Sequence, residues 1–373
     1  MSSSKGGECI DKSGENARAL AWGIAYCLAY DRGIGDEALK RLRQFIESDQ
    51  MPQGVQGDEI SIIAEVSRRL VLPEDDENGI PQTKEALKNC RLMQLCEWLN
   101  SPRIALIMGG ATKIKQYVFE SAKLSEIRGA SGLLDRINLR DVPALSSREP
   151  HWLKELRNSA DATEIKEAEQ LVRQVREWFQ ACYGAEPPDC EECIIYANGG
   201  EVLAFAPLKL GDWLTEAIER LYTKETLIAN SVAVWRPCSL MELRFGLRPL
   251  EFWMDDLNAV SDNALKELLS NYYGGLDKGS FLSKKNLGEV TAYLALEKLK
   301  RREGNLSNSR VPKPAPRFET KLYARRCQSC ERRNAIVEGP LRTWLCEPCA
   351  RKKVFGQKAK NESAERTRWF KEA

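Results

Sequence analysis

Ile194-Ile-Tyr-Ala-Asn-Gly-Gly-Glu-Val-Leu-Ala-Phe-Ala206 reads as two short apolar strands either side of Asn198-Gly199-Gly200. A tight turn between right-twisted strands needs residues that accept positive φ, so the stretch is a β-hairpin signal. Upstream, Ile165, Ala168, Leu171, Val172, Val175, Phe179 and Cys182 form one helical stripe, stopped by Gly184 and Pro187-Pro188. Before it, Ile104-Ala-Leu-Ile-Met108 ends at Gly109-Gly110, the pattern of a buried strand, and a helical pattern from about Lys113 to Leu139 is interrupted by Arg128-Gly-Ala-Ser-Gly132. Downstream, Trp213 to Tyr222 is amphipathic, and Val232-Ala-Val-Trp235 is a last strand before Pro237. The order β-α-β-β-α-β is the split βαβ, or ferredoxin-like, arrangement.

The flanks differ in character. Residues 1–100 carry helical spacing near 14–30, 35–48, 58–71 and 83–99 (Ile60, Ile63, Val66 and Leu70 in the third), with Asp58 and Thr83 as N-caps. Residues 241–309 return to helix at Ser261 to Tyr273 and Val290 to Arg302. The expected class is therefore α+β: a helical N-terminal domain (1–100), a ferredoxin-like domain (101–240), a helical insertion (241–309) and a basic C-terminal module (310–373). Asn305-Leu-Ser-Asn-Ser-Arg-Val-Pro-Lys-Pro-Ala-Pro-Arg317, with three prolines at alternate positions, reads as the extended linker before that module.

Composition narrows the chemistry. The chain has 373 residues, 43% hydrophobic and 29% charged, with twelve cysteines and one histidine, His151. A single histidine rules out a hydrolase built on several His ligands and disfavours His-based nucleophilic catalysis. The N-terminus, Met-Ser-Ser-Ser-Lys-Gly-Gly, shows no signal peptide, and the longest apolar stretch, Ala19 to Tyr30, is short of the ~20 residues that span a bilayer. The expectation is a cytoplasmic chain with reduced thiols. From Arg310 onward there are seventeen basic and seven acidic residues, whereas the whole chain is only +2, so an acidic body carries a basic module. That asymmetry fits nucleic-acid contact or a solvated surface, and Arg351-Lys352-Lys353 and Arg366 to Arg368 are the residues concerned.

Cys327-Gln-Ser-Cys330 and Cys346-Glu-Pro-Cys349 stand fifteen residues apart. Each CxxC folds a knuckle that points two thiolates at one ion, and two knuckles complete a tetrahedron, the pattern of a structural zinc site. A third pair, Cys190-Glu-Glu-Cys193, has no matched partner and reads with Cys182 as loop and core thiols. Cys9, Cys27, Cys90, Cys96 and Cys238 read as ordinary apolar positions.

Three stretches together resemble a known family. Ile104-Ala-Leu-Ile-Met-Gly-Gly-Ala-Thr-Lys-Ile-Lys-Gln-Tyr-Val-Phe119, Ser125-Glu-Ile-Arg-Gly-Ala-Ser-Gly-Leu-Leu134 and Ile195-Tyr-Ala-Asn-Gly-Gly-Glu201 look like the first palm domain of the large subunit of type III CRISPR effector complexes. The four-cysteine module fits the same family. The resemblance implies an RNA-guided antiviral ribonucleoprotein with guide crRNA, target RNA and other effector subunits as partners. In that family two palms pinch ATP between them, with Mg or Mn, and make cyclic oligoadenylates through a GGDD motif on the second palm. It further implies nucleotide contacts at Asn198, Gly199, Gly200 and Glu201, beside the plain reading of a structural turn. Gly129 and Ser131 are expected to open a helix whose free N–H groups receive a phosphate, beside simple capping. Trp178, Trp213 and Trp235 read as core rather than base-stacking platforms.

The departures set the activity. The family's first strand often ends in Gly-Asp, where this chain has Gly109-Gly110, and the hairpin carries one acid, Glu201, where a catalytic palm carries two. A two-metal site needs paired carboxylates. There is no GGDD, and His151 has no partner for an HD nuclease. The chain is thus expected to be one piece of a longer or split large subunit, or a reduced form, serving as scaffold and non-catalytic half of an ATP-binding palm pair. The alternatives are a standalone nucleotidyl cyclase and a zinc-ribbon nucleic-acid-binding protein.

Overall fold

The run beginning at Ile104 forms the middle of an eleven-residue strand in this computed structural model. The residues described are 7–48, 59–71, 101–247, 260–275, 277, 280, 285–303, 321–339 and 342–366. The helix expected near 83–99, the linker at 305–317, the caps Asp58 and Thr83, and Arg368 lie outside them.

The chain opens with three helices, α1 (Gly7–Arg32), α2 (Asp36–Glu47) and α3 (Glu59–Val71). Strand β1 (Pro102–Thr112) leads into α4 (Ile114–Val118), α5 (Leu124–Arg136), a π-helical turn at Ile137–Asp141, α6 (Val142–Ser146), α7 (His151–Arg157) and α8 (Ala162–Tyr183). The hairpin strands β2 (Ile194–Asn198) and β3 (Glu201–Pro207) follow, then α9 (Gly211–Thr226) and β4 (Asn230–Ser239). Helices α10 (Leu240–Phe245), α11 (Asn263–Tyr273) and α12 (Leu287–Arg302) precede a small hairpin, β5 (Val337–Gly339) and β6 (Thr343–Leu345), and a final helix, α13 (Glu347–Arg366).

The four long strands make one antiparallel sheet of order β2-β3-β1-β4. Successive side chains of a strand point to opposite faces, and β1 is buried on both. Ile104, Leu106 and Met108 join a core with Ile24 and Leu28 of α1, Ile63 and Val66 of α3, and Val290 and Leu294 of α12. Ala105, Ile107 and Ala111 join a second core with Leu134 of α5, Val172 and Phe179 of α8, and Leu214, Leu221 and Tyr222 of α9. That is why the strand reads as an unbroken apolar run instead of an alternation. Each buried Leu, Ile or Phe contributes about 1.5–3 kcal/mol, and residues on both sides of positions 100 and 240 contribute to the first core.

Local signals account for the element ends. Asp161 caps α8 by accepting from the Thr163 and Glu164 amides at 2.8 and 2.9 Å, and Gly184 closes it at φ 68°. Of the predicted stripe, Ala168, Val172, Val175 and Phe179 are buried, but Cys182 is exposed. The last strand does not stop before Pro237 but runs through it to Ser239. Among the described residues β4 is an edge strand, so proline's missing N–H can face outward without breaking a ladder bond.

Two further sequence expectations are corrected. Arg128–Gly132 does not interrupt a helix or open one; it lies inside α5. Gly129 and Ser131 therefore sit where amides bond to the preceding turn, and no free N–H faces a phosphate. Gly129 is instead a crossing point: a Cβ there would collide with the Lys352 carbonyl on α13, and one on Gly356 with the Ser125 carbonyl. Among the tryptophans, Trp178 and Trp235 pack half-buried on the second core, while Trp213 is exposed and stacks on Tyr183 at 6.3 Å.

Candidate metal centre and hairpin site

The two CxxC knuckles meet. Cys327 and Cys330 occupy the turn before β5, and Cys346 and Cys349 lie at the start of α13, all four buried. The first knuckle is fixed by the Cys327 amide donating to the Arg333 carbonyl at 2.8 Å, Gln328 N–H to the Trp344 carbonyl at 2.9 Å and Glu331 N–H to the Cys327 carbonyl at 3.0 Å. In the second, Ala350 N–H donates to the Cys346 carbonyl at 2.9 Å. The four sulfurs lie within 4.8 Å of one another, with Cys330 and Cys346 Sγ 3.8 Å apart. A tetrahedral ion bound through ~2.3 Å bonds separates its sulfurs by roughly 3.8 Å, so the donor set fits zinc. The set is closed and sulfur-only, which suits a structural ion and leaves no position for substrate.

The module is anchored to the sheet domain by charge. Lys352 is fully buried: its Nζ donates to the Tyr117 carbonyl at 2.7 Å and to Glu120 Oε2 at 3.2 Å, and lies 4.1 Å from the Tyr117 ring centroid. Arg333 reaches Glu120 Oε1 at 2.5 Å. Burial pushes the Glu120 carboxyl up, but the Arg333 hydrogen bond and the charges of Lys352 and Arg333 outweigh it, and the group ends below the usual carboxylate range. Ser329 Oγ engages Ser121 Oγ at 2.8 Å and the buried Glu126 carboxylate. Arg351 donates to the carbonyls of Lys224 and Glu225 at 3.0 and 3.1 Å. Of the three consecutive basic residues named for RNA, Lys352 and Arg351 thus hold the module in place, and Lys353 Nζ reaches Thr343 Oγ1 at 3.3 Å.

At the large hairpin, Gly199 and Gly200 take φ 59° and 84°, as a two-residue turn of twisted strands requires. Asn198 Oδ1 accepts from the Gly199 amide at 2.7 Å. The end of β1 packs directly on the turn: Ala111 N–H donates to the Gly200 carbonyl at 2.8 Å, and Gly110 stands opposite Glu201 at φ 148°. A Cβ at Gly110 would overlap that carbonyl oxygen, so the backbone has no room for a side chain where a first-strand carboxylate would sit. Glu201 is paired with Lys298 Nζ of α12 at 2.5 Å and with the Tyr196 hydroxyl at 3.4 Å. The structure brings Asn198, Gly199, Gly200 and Glu201 together, leaves Gly129 in the contact with α13 and leaves Ser131 exposed on α5. Two cavities, of about 520 and 310 Å³, lie along α5, α8 and α13 and beside α8, and none of the four hairpin residues lines either.

The third CxxC behaves as core. Cys190 and Cys193 are buried, with Cys27 Sγ 3.6 Å from Cys193 Sγ, and burial pushes the Cys27 and Cys190 thiols up. Burial likewise pushes Cys238 up to about 12. Among the described residues, the four-cysteine group is the only set of three or more candidate metal donors gathered in one place. The pairings of Glu120 with Arg333 and Lys352, and of Glu201 with Lys298, were not legible in the sequence, since the partners lie more than ninety positions apart.

No protein-family model matches the chain, and no curated protein matches its sequence. Among solved structures, the crystal structure of an apo Csm1–Csm4 cassette aligns at a TM-score of 0.25 and 14% identity, over 66% of this chain and 25% of that one. The chain thus spans about a quarter of the matched chain's length. No helix among the described residues is long and apolar enough to cross a membrane.

Proposed function

We propose that the chain is a large-subunit component of a cytoplasmic, RNA-guided type III CRISPR antiviral ribonucleoprotein, acting as scaffold and as the non-catalytic half of an ATP-binding palm pair. The reading rests on the resemblance of the strand, helix and hairpin motifs, and on their spatial relation. The order β2-β3-β1-β4 with intervening helices is what a ferredoxin-like palm requires, and it sets the Gly-Gly end of β1 against the Gly-Gly hairpin. The four-cysteine module docks on the same domain through α5. In this reading Asn198, Gly199, Gly200 and Glu201 face a nucleotide shared with a second palm, and zinc holds the module.

The observation that carries the non-catalytic part is steric. Gly110 has no room for a carboxylate, and the single hairpin acid, Glu201, is neutralised by Lys298. Two ions 3.5–4 Å apart need at least two shared acids, so this domain by itself offers no two-metal site, which counts against the standalone nucleotidyl cyclase. Incubating the isolated chain with ATP and Mg²⁺ or Mn²⁺ is expected to give no product; sustained turnover abolished by Glu201→Gln would contradict the proposal and favour the cyclase. One observation favours RNA contact at the module: Lys321, Tyr323, Arg325, Arg326 and Arg342 are all exposed, with Arg325 stacked 4.8 Å over the Trp344 ring.

A further inference from the structure

One side chain bridges the four-cysteine set to the sheet domain directly. Arg333 Nη1 donates toward Cys330 Sγ at 3.7 Å, while Nη2 of the same guanidinium donates to Glu120 Oε1 at 2.5 Å. Glu120 belongs to the loop between α4 and α5, not to the module, and its side chain is only 6% exposed. Its other oxygen receives Lys352 Nζ, three residues past Cys349 on α13. One carboxylate of the sheet domain therefore touches both knuckle segments, from the Arg333 side and from the Lys352 side.

We propose that Glu120 and Arg333 are positioning residues of the metal centre: the sheet domain helps set the affinity for zinc, and the ion in turn holds α5 against α13. Four thiolates around a divalent ion keep roughly two net negative charges, and in a buried setting they need a donor. Arg333 supplies it from a fixed angle, because a planar guanidinium bonded to a carboxylate on one edge presents its other edge in a set direction. Without Glu120, the guanidinium loses the partner that offsets its own burial and aims it at Cys330. The reverse coupling follows from linkage, since an ion that favours the docked arrangement is itself bound more tightly by it, and by the same factor. The docking has little slack, since Gly129 and Gly356 bring the two backbones into contact.

The test uses the full chain and Zn²⁺ itself. In competition with a chromophoric chelator, Glu120→Gln and Arg333→Gln are each expected to weaken zinc binding by about 10–100-fold, and Arg333→Lys by less, since an ammonium keeps the charge and loses the fork. A second arm needs no variant: stripping zinc from the unaltered chain and following amide exchange is expected to lose protection along Leu124–Arg136 while β1 and β3 stay protected. Zinc affinity in folded Glu120→Gln within twofold of the unaltered chain would overturn the proposal. So would unchanged exchange along Leu124–Arg136 after zinc removal.

Discussion

Placing a side chain at Gly110 drives it into the Gly200 carbonyl, and φ 148° adds strain of its own. Gly110→Asp is thus expected to cost about 3 kcal/mol or more in urea denaturation, without creating nucleotide turnover. Asp141 makes a different residue-scale case. It is 1% exposed at the end of the π-helical turn, with Arg136 Nε 3.5 Å away, and burial pushes its carboxyl up to about 6 despite that arginine. A folded-state value above the unfolded ~3.9 means the folded protein holds the extra proton, so the charged form costs stability at neutral pH and the cost is relieved as pH falls through 6. Asp141→Asn is expected to stabilise the chain by up to ~3 kcal/mol at pH 7.5 and by close to nothing at pH 4. Denaturation at the two pH values checks it, and an equal gain at both would contradict the assignment.

At the scale of elements, α9 and α12 are locked by a buried pair. Glu219 and Arg301 are both nearly inaccessible and meet at 2.7 Å, and Glu219 Oε1 also accepts from the Ala233 amide of β4 at 2.8 Å. Arg301→Met leaves that carboxylate buried without its cation and is expected to cost about 3–5 kcal/mol, read from the shift in denaturation midpoint. The α5–α13 crossing is also intolerant: Gly129→Ala is expected to cost about 1–3 kcal/mol through overpacking. The same pair of helices shows what a sequence does and does not disclose. The 104–108 run, the hairpin turn and the α8 stripe were legible because period and turn chemistry are local properties. The Arg128–Gly132 stretch was not. Two glycines and a serine look like a helix break until the partner backbone that needs the missing side chain comes into view, and that partner lies more than 220 positions on. Pro237 misled for a related reason, because whether a proline ends a strand depends on whether the strand is an edge.

At the scale of the molecule, the basic excess after residue 310 is divided between two tasks. Arg333, Arg351 and Lys352 neutralise or bond acceptors of the sheet domain, while Lys321, Arg325, Arg326 and Arg342 remain exposed. Charge composition displayed the asymmetry but not that division, because pairing depends on the docked geometry. The metal pairing, by contrast, was legible, since ligand spacing within each knuckle is local. The purified chain is expected to carry one zinc, and Cys327→Ser with Cys346→Ser to lose it together with the module's fold; a metal content well below one per chain by elemental analysis would contradict this.

Membership of an RNA-guided assembly is tested most directly by sequencing what co-purifies with the tagged chain. Short guide RNAs of repeat-derived sequence are expected, together with companion effector subunits. A preparation carrying neither guide RNA nor partner subunits would contradict it.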